Sequence, residues 1–227
     1  MRIASFDIGY RNLSLAIENY PNKSIKDLAK KYQLLNKADK IIERHEHSVI
    51  LSTLLNEFYK EGKTELLELT DLNRGESCGL VISTRKHLDE YLTSRKSQLS
   101  GCSTIIIEQQ FKTGQACNFD AILLGEAVFS WCCFNLSVSV EYVPSRYKTT
   151  LMGMCRSVIE IRKNGLRTVR DIVKKDRKKW SVTKALEILA LRGDQNMRDT
   201  ITGHKKRDDL SDVILQALSW VLKRYVI

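Results

Sequence analysis

The sequence has little proline and glycine, and it lacks long apolar runs. Only two prolines and eleven glycines occur among 227 residues, which favours an ordered α/β chain without a long flexible linker. No apolar run reaches the roughly 18 residues of a membrane-spanning helix. The first strand pattern begins at residue 2, so we expect no secretory or transit peptide. We therefore expect a soluble, intracellular protein with no membrane partner.

Paired cysteines are also missing. The six cysteines form no CxxC motif, and several lie in apolar segments, which is typical of reduced, buried thiols in an intracellular protein. His45 and His47 are close together but belong to no larger group of histidines and cysteines. We expect neither a zinc site nor a small-molecule cofactor.

Positive charge is abundant and unevenly distributed. The formal net charge is +10, which indicates an anionic partner, most often nucleic acid. Residues 162–179 contain nine lysines and arginines but only two aspartates. A solvent-exposed helix face would also explain this stretch, but the basicity of the whole chain favours contact with phosphates. Arg170, Lys174 and Lys175 are our candidates for that contact.

The apolar pattern predicts an α/β fold with antiparallel strands first and a βαβ crossover after them. Central strands 103–108 and 136–143 should be parallel neighbours, because a crossover connects them. The predicted strands cover residues 2–8, 13–18, 64–72, 103–108 and 136–143.

Helices fill most of the remaining chain. The spacing of apolar residues predicts helices over 79–99, 121–135, 181–193 and 208–225, and helix should dominate after Pro144. The 121–135 helix is apolar nearly all round, so we expect it to be buried. Ser181 is a candidate N-cap. Residues 20–62 are largely polar, and we interpret them as a partly helical insertion packed beside the first hairpin.

Four acidic residues occupy positions where their charge is unexpected. Asp7 lies inside the first apolar strand, and Glu108 ends a second one. Asp209 and Asp212 share a face at the start of the last helix. Each alone has a simple explanation, either an ion pair or a carboxylate at a helix N-terminus. Together they would repel one another unless cations neutralised them. Such an oxygen-rich site suits Mg²⁺ or Mn²⁺, and two ions would promote hydrolysis of a phosphodiester.

Four segments carry a family resemblance: FDIGYRN, IIIEQQF, VPSRYKTTLMG and KKRDDLSDVILQAL. They resemble motifs of the RuvC-type Holliday junction resolvases in the ribonuclease H-like superfamily, particularly the mitochondrial and poxvirus-like branch. The motifs occur in the family's order from residue 2 to about residue 222. Residues 20–62 and 155–195 match less clearly.

The resemblance implies a fold, a reaction and a metal. The fold would be a mixed five-stranded sheet flanked by helices, forming one domain over residues 1–227. A homodimer would cut a four-way DNA junction with paired nicks, each leaving a 5′-phosphate and a 3′-hydroxyl. The implied cofactor is Mg²⁺, with Mn²⁺ as a substitute and two ions per site. The compartment could be the cytoplasm, the nucleus or a viral replication compartment.

The resemblance also assigns roles to individual residues. Metal ligands would be Asp7, Glu108, Asp209 and Asp212, with Asp208 as an alternative to Asp209. Lys148 would lie near the scissile phosphate, and Phe111 would stack on unpaired bases or belong to the core. Gln109 and Gln110 would either support the glutamate or contact DNA. Lys205, Lys206 and Arg207 would contact backbone phosphates, unless they simply balance the charge of the neighbouring acids. Trp131 or Phe134 would reach the dimer interface, unless each is simply a core residue.

Three other interpretations compete with this one. A ribonuclease H-type or less selective structure-specific nuclease would use the same acidic residues. The DIG segment also opens the actin-like kinase and ATPase fold, but this chain is too short for two such domains and lacks a second phosphate loop. A non-catalytic junction-binding protein would need an incomplete acidic set, and all four acids are present.

Overall fold

A mixed five-stranded sheet forms the centre of the computed structural model, which describes residues 1–9, 11–38, 44–75, 81–110, 118–154, 157–161 and 167–226. The order of the strands across the sheet is β3-β2-β1-β4-β5. These strands are β1 (Arg2–Ile8), β2 (Asn12–Asn19), β3 (Lys63–Asp71), β4 (Thr104–Gln109) and β5 (Ser139–Pro144). All five predicted strands are therefore confirmed, with shifts of a few residues at their ends.

The strand directions also agree with the prediction. β1 pairs antiparallel with β2, and β2 pairs antiparallel with β3. β4 is parallel to both β1 and β5. The helices described are α1 (Asn22–Ala38), α2 (Arg44–Glu61), α3 (Ile82–Ser94), α4 (Lys96–Ser100), α5 (Phe119–Asn135), α6 (Tyr147–Thr150), α7 (Lys174–Leu191), α8 (Gln195–Gly203) and α9 (Arg207–Val221), followed by a π-helical turn at Leu222–Val226.

Helices cover both faces of the sheet, so the strands contribute to two apolar cores. Successive side chains of a strand point to opposite faces. Ile3 of β1 packs into the core formed with α1, α2, α7 and α9, whereas Phe6 packs into the core formed with α3 and α5. By the same alternation, Asp7 points to the side of the sheet that α9 covers.

Residues 20–62 contain two helices, which agrees with the partly helical prediction. Ile25 and Leu28 of α1 and Phe58 and Tyr59 of α2 are buried in the α9 side of the core. Gly62 follows α2 directly, and a Cβ at this position would collide with the guanidinium of Arg192. The segment is thus joined to the main core by large apolar side chains.

Two helix predictions were wrong in part. Helix 79–99 is interrupted at Arg95, and Ile82, assigned to its apolar face, is exposed, while Leu80 lies outside the described residues. α5 is not buried all round. Its Ala121, Leu124 and Val128 face the core, but Phe119 and Phe134 are exposed. An all-apolar sequence does not reveal which helix face the sheet covers.

The prediction for the region after Pro144 missed a second sheet. Strands β6 (Ser157–Ile161) and β7 (Arg167–Asp171) form an antiparallel pair there. α7 begins seven residues before Ser181, which is therefore a buried helix residue instead of an N-cap. The sequence did not predict this helix start, because residues 174–179 are mostly lysine and arginine and the apolar spacing of the helix begins only after them. No helix among the described residues is long and apolar enough to cross a membrane.

Candidate active site

Two of the predicted acids lie side by side at one edge of the sheet. β1 and β4 are parallel neighbours, and Phe6 is in register with Ile107. Asp7 and Glu108 are the next residues on the two strands. The side chain of Gln110 ties these strand ends together, because its Nε2 donates to the Ile8 carbonyl oxygen at 3.2 Å.

Helix α9 brings the other two acids to the same edge. Leu210 and Val213 of this helix are fully buried, so Asp209 and Asp212, which directly precede them, lie at the border of the core. Gln216 Nε2 donates to the Phe6 carbonyl oxygen at 3.2 Å, which anchors α9 to β1 just before Asp7. Sequence analysis missed Gln216. Its only sequence signal is a polar residue within the apolar run of the helix.

Lys148, carried on the short helix α6, lies between three of the carboxylates. Its Nζ is 2.6 Å from Asp212 Oδ2, 3.0 Å from Glu108 Oε2 and 3.6 Å from Asp7 Oδ2. Only 11% of the Lys148 side chain is exposed. Burial opposes its charge, but the three carboxylates outweigh burial and raise the pKa of the ammonium well above its usual range. Lys148 therefore remains protonated.

The single positive charge of Lys148 does not balance the negative charges of the carboxylates around it. Burial, followed by the charge of Asp7, raises the pKa of Glu108 well above its usual range. Burial and the charges of Asp208 and Asp7 raise the pKa of Asp209 to about 6. Asp212 Oδ1 is buried and has no hydrogen-bond partner in the described part of the chain. The site thus holds excess negative charge and an unused oxygen ligand.

These features fit a divalent cation with oxygen ligands. The described residues do not by themselves form a group of three or more Asp, Glu, His or Cys side chains ready to hold an ion. Instead, the Lys148 ammonium lies where three carboxylates converge. Carboxylate oxygens are the ligands that Mg²⁺ prefers, and an unused buried oxygen is a position that a cation would satisfy.

Asp208 has a different partner from its neighbours. Its Oδ2 pairs with the Nζ of Lys178 on α7. Burial opposes ionisation of Asp208, but Lys178 outweighs burial and lowers the pKa of this carboxyl. Asp209, whose pKa is raised, lines the same cleft as Asp7, and the charge of Asp7 contributes to that rise. The geometry therefore favours Asp209 over Asp208 as a ligand.

The cleft around these acids brings together only some of the predicted DNA-binding residues. A cavity of about 390 Å³ contains Lys148, the four acids, Gln110 and Lys174 in its lining. A second cavity of about 530 Å³ shares Asp7 and Asp209 with it and includes Lys205 and Lys206. Gln109, Lys175 and Arg207 line neither cavity. Phe111 and the side chain of Arg170 lie outside the described residues.

Sequence comparison finds one curated relative, and no family model matches the chain. Uncharacterized protein 170L of Invertebrate iridescent virus 6 is 28% identical over 245 aligned positions, which cover 96% of this chain and 89% of the relative. Its description adds no function. It does show that a second chain aligns with this sequence over nearly its whole length.

Comparison with solved structures finds similar chains across nearly the whole length. A Fowlpox virus resolvase, crystallised with Holliday junction DNA, has a TM-score of 0.53 at 17% identity, covering 98% of both chains. The yeast mitochondrial Holliday junction resolvase Ydc2 has a TM-score of 0.54 at 9% identity, covering 97% of this chain and 78% of its own. RuvC of Thermus thermophilus has a TM-score of 0.50 at 12% identity, covering 99% and 98%.

These similarities agree with the topology of the chain. The mixed five-stranded sheet flanked by helices, which the ribonuclease H-like resemblance implied, is confirmed. The chain has the fold of the RuvC-type Holliday junction resolvases.

Proposed function

We propose that this protein is a structure-specific DNA endonuclease that resolves four-way junctions by metal-dependent hydrolysis of paired phosphodiesters. The observation that carries the proposal is the convergence of Asp7, Glu108 and Asp212 on Lys148, from two strands and a helix. The fold supports it, because the similar solved structures are Holliday junction resolvases and one of them contains junction DNA.

Asp7, Glu108, Asp209 and Asp212 would hold the metal. We propose two Mg²⁺ ions, for which Mn²⁺ substitutes. When bound, they supply the positive charge that activates a water molecule and stabilises the leaving 3′-oxygen. The four carboxylates fix the position of that charge, since each is carried by a strand or helix anchored in the core.

Lys148 would act on the substrate itself. It remains charged within the acidic cluster, where its ammonium lies close to the carboxylates of Asp7, Glu108 and Asp212. A phosphate entering the cleft would find in Lys148 a buried donor for a non-bridging oxygen. Hydrolysis adds the water oxygen to phosphorus and breaks the bond to the 3′-oxygen, which takes a proton. The products are a 5′-phosphate and a 3′-hydroxyl.

The DNA would approach over the basic residues around the cleft. Lys205 and Lys206 are exposed beside Asp7 and Asp209, and Lys174 lies on the opposite side. We propose that these three contact backbone phosphates. The remaining proposed contacts are Arg170, Lys175, Arg207, Gln109 and Gln110, with Phe111 stacking on unpaired bases.

We further propose a C2 homodimer, since symmetric resolution needs two active sites. Phe134 on α5 is 89% exposed, which is unusual for a phenylalanine and supports a role for this helix at the interface. The half-buried Trp131 lies one turn earlier on the same helix. We also propose that residues 1–227 form a single nuclease domain with an insertion at about 20–62, located inside the cell.

The alternative is a ribonuclease H-type or less selective nuclease. The same four carboxylates would serve it, because the chemistry at phosphorus is identical. The substrate therefore decides between the two proposals.

A nicking assay tests the function. Purified protein with Mg²⁺ would be given a labelled four-way junction, a linear duplex and an RNA–DNA hybrid, with Asp209→Asn and EDTA as controls. We expect paired, symmetric nicks on the junction alone. Asp209→Asn should lower the rate about a thousandfold or more, because metal ligation contributes several kcal/mol to the transition state. Cutting of the hybrid would support the alternative, and metal-independent cutting would contradict both.

A further inference from the structure

One face of helix α7 forms a wall of the acidic cleft. Lys174, Arg177 and Lys178 all line the cavity that contains the four acids. Their spacing of three and four residues places them on the same side of the helix. Lys179, which is next to Lys178 in sequence, is exposed and does not line the cavity. The basic residues of α7 therefore do not all point the same way, and one face of the helix is directed at the acidic cleft.

Lys178 connects this face to the carboxylates. Its Nζ pairs with Asp208, and its charge also acts on Asp209 and Asp212. The Lys178 side chain remains 48% exposed, whereas Asp208 is largely covered. Because this ion pair is partly open to solvent, it contributes little to stability. The Lys178 ammonium can therefore exchange Asp208 for another partner at little cost.

A nucleic acid strand entering the cleft needs such cations. Its phosphates would meet the five carboxylates that line the cavity, which repel them, and three of these carboxylates surround Lys148. The wall adds further positive charge to that of Lys148. The Arg177 guanidinium suits this task because it binds a phosphate with two parallel hydrogen bonds.

We propose that the Lys174, Arg177 and Lys178 face of α7 binds phosphates of the cleaved strand beside the cut, with Lys178 exchanging Asp208 for a phosphate. The inference rests on the proposed nuclease function and deepens it, since it assigns Arg177 and Lys178 to the strand at the site. It also gives Asp208 a role, which is to hold Lys178 in the cleft before the strand arrives.

The salt dependence of DNA binding tests this proposal. The variant Arg177→Gln with Lys178→Gln would be compared with Lys179→Gln combined with Lys223→Gln, which removes the same charge from exposed residues outside the cleft. Binding to a four-way junction and to a linear duplex would be measured in EDTA, so that no cutting occurs. Melting temperatures of all proteins would confirm folding.

We expect the first variant to reduce the slope of log K against log salt by about 1.8 on the junction, which is about 0.9 per lost contact on its duplex arms. The control should retain the wild-type slope. Unchanged slopes in both variants, or equal reductions in both, would overturn the proposal. A slope change confined to the first variant, in a protein that binds duplex and junction equally, would support the α7 face and contradict junction specificity.

Discussion

Among the described residues, two clusters of buried charge can be compared, and the protein itself balances the charge of one but not of the other. Glu18 on β2 and Arg192 after α7 form an ion pair at 2.8 Å, with side chains 0% and 2% exposed. Tyr20 and Thr64 donate to the two oxygens of Glu18 at 2.8 and 2.5 Å. In the acidic cleft, by contrast, Lys148 lies among three carboxylates at once.

The difference separates a structural role from a functional one. Arg192 Nε also donates to the Tyr59 carbonyl oxygen at 2.9 Å, so the pair ties α2, the sheet and α7 together. Its Nη2 is buried without a hydrogen-bond partner in the described part of the chain. In the cleft, the atom without a partner is a carboxylate oxygen, Asp212 Oδ1. An unused acceptor beside excess negative charge is a place for a cation, whereas a packed guanidinium nitrogen is not.

Breaking the structural pair should have the largest effect on stability. Arg192→Met would leave Glu18 buried without its countercharge, which costs about 3–5 kcal/mol. For a chain of this length, we expect a fall in melting temperature of roughly 6–20 °C, measured by thermal denaturation in EDTA. Combining it with Glu18→Leu should restore part of the loss, since an apolar pair of similar volume replaces the charges. A shift below about 2 °C for Arg192→Met would contradict the structural role.

Removing a charge from the cleft should have the opposite, smaller effect. The pKa of Asp209 is raised to about 6, so the folded protein holds this proton more tightly than the unfolded chain. Without metal, stability should therefore decline as the pH rises from about 4 to about 6 and stay lower above it. Asp209→Asn should melt a few degrees higher than wild type at pH 7.5, and the two should converge near pH 4.

Asp208→Asn provides the matched control for that measurement. The pKa of Asp208 is lowered by Lys178, so its charge stabilises the fold above the pKa of the unfolded chain. The variant should therefore melt at or slightly below the wild-type temperature at pH 7.5. If Asp209→Asn were less stable than wild type at that pH, the charge of Asp209 would not destabilise the fold, and the prediction would be wrong.

The sequence predicted the central sheet and the four acids of the cleft, but it did not predict the Glu18–Arg192 pair. Strands such as β1 and β4 are short β-branched runs. A strand that is buried has this apolar pattern in any fold, so the pattern can be recognised locally. Glu18 and Asp7 are both acids within apolar strands. Arg192 lies 174 residues from Glu18 along the chain, and nothing in the local pattern connects the two. The interrupted apolar pattern singled out Asp7, and the resemblance to a family then gave it the role of a metal ligand.

Other features depend on tertiary contacts that no local pattern contains. The β6–β7 pair carries charged residues such as Glu160 and Arg167, which obscure strand alternation. The Lys178–Asp208 pair joins two helices, and it separates Asp208 from Asp209 although the two are chemically identical neighbours. In the sequence, nothing distinguishes Lys178 from the other lysines and arginines among the nine in residues 162–179.

The comparison of those two aspartates tests the central claim most directly. Asp208→Asn and Asp209→Asn would be assayed side by side with Mg²⁺ on a labelled four-way junction, with junction binding measured separately in EDTA. We predict that Asp209→Asn binds the junction but loses cutting by about a thousandfold or more, while Asp208→Asn still cuts. Equal cutting by both variants, or loss of cutting in Asp208→Asn alone, would contradict the proposed metal site.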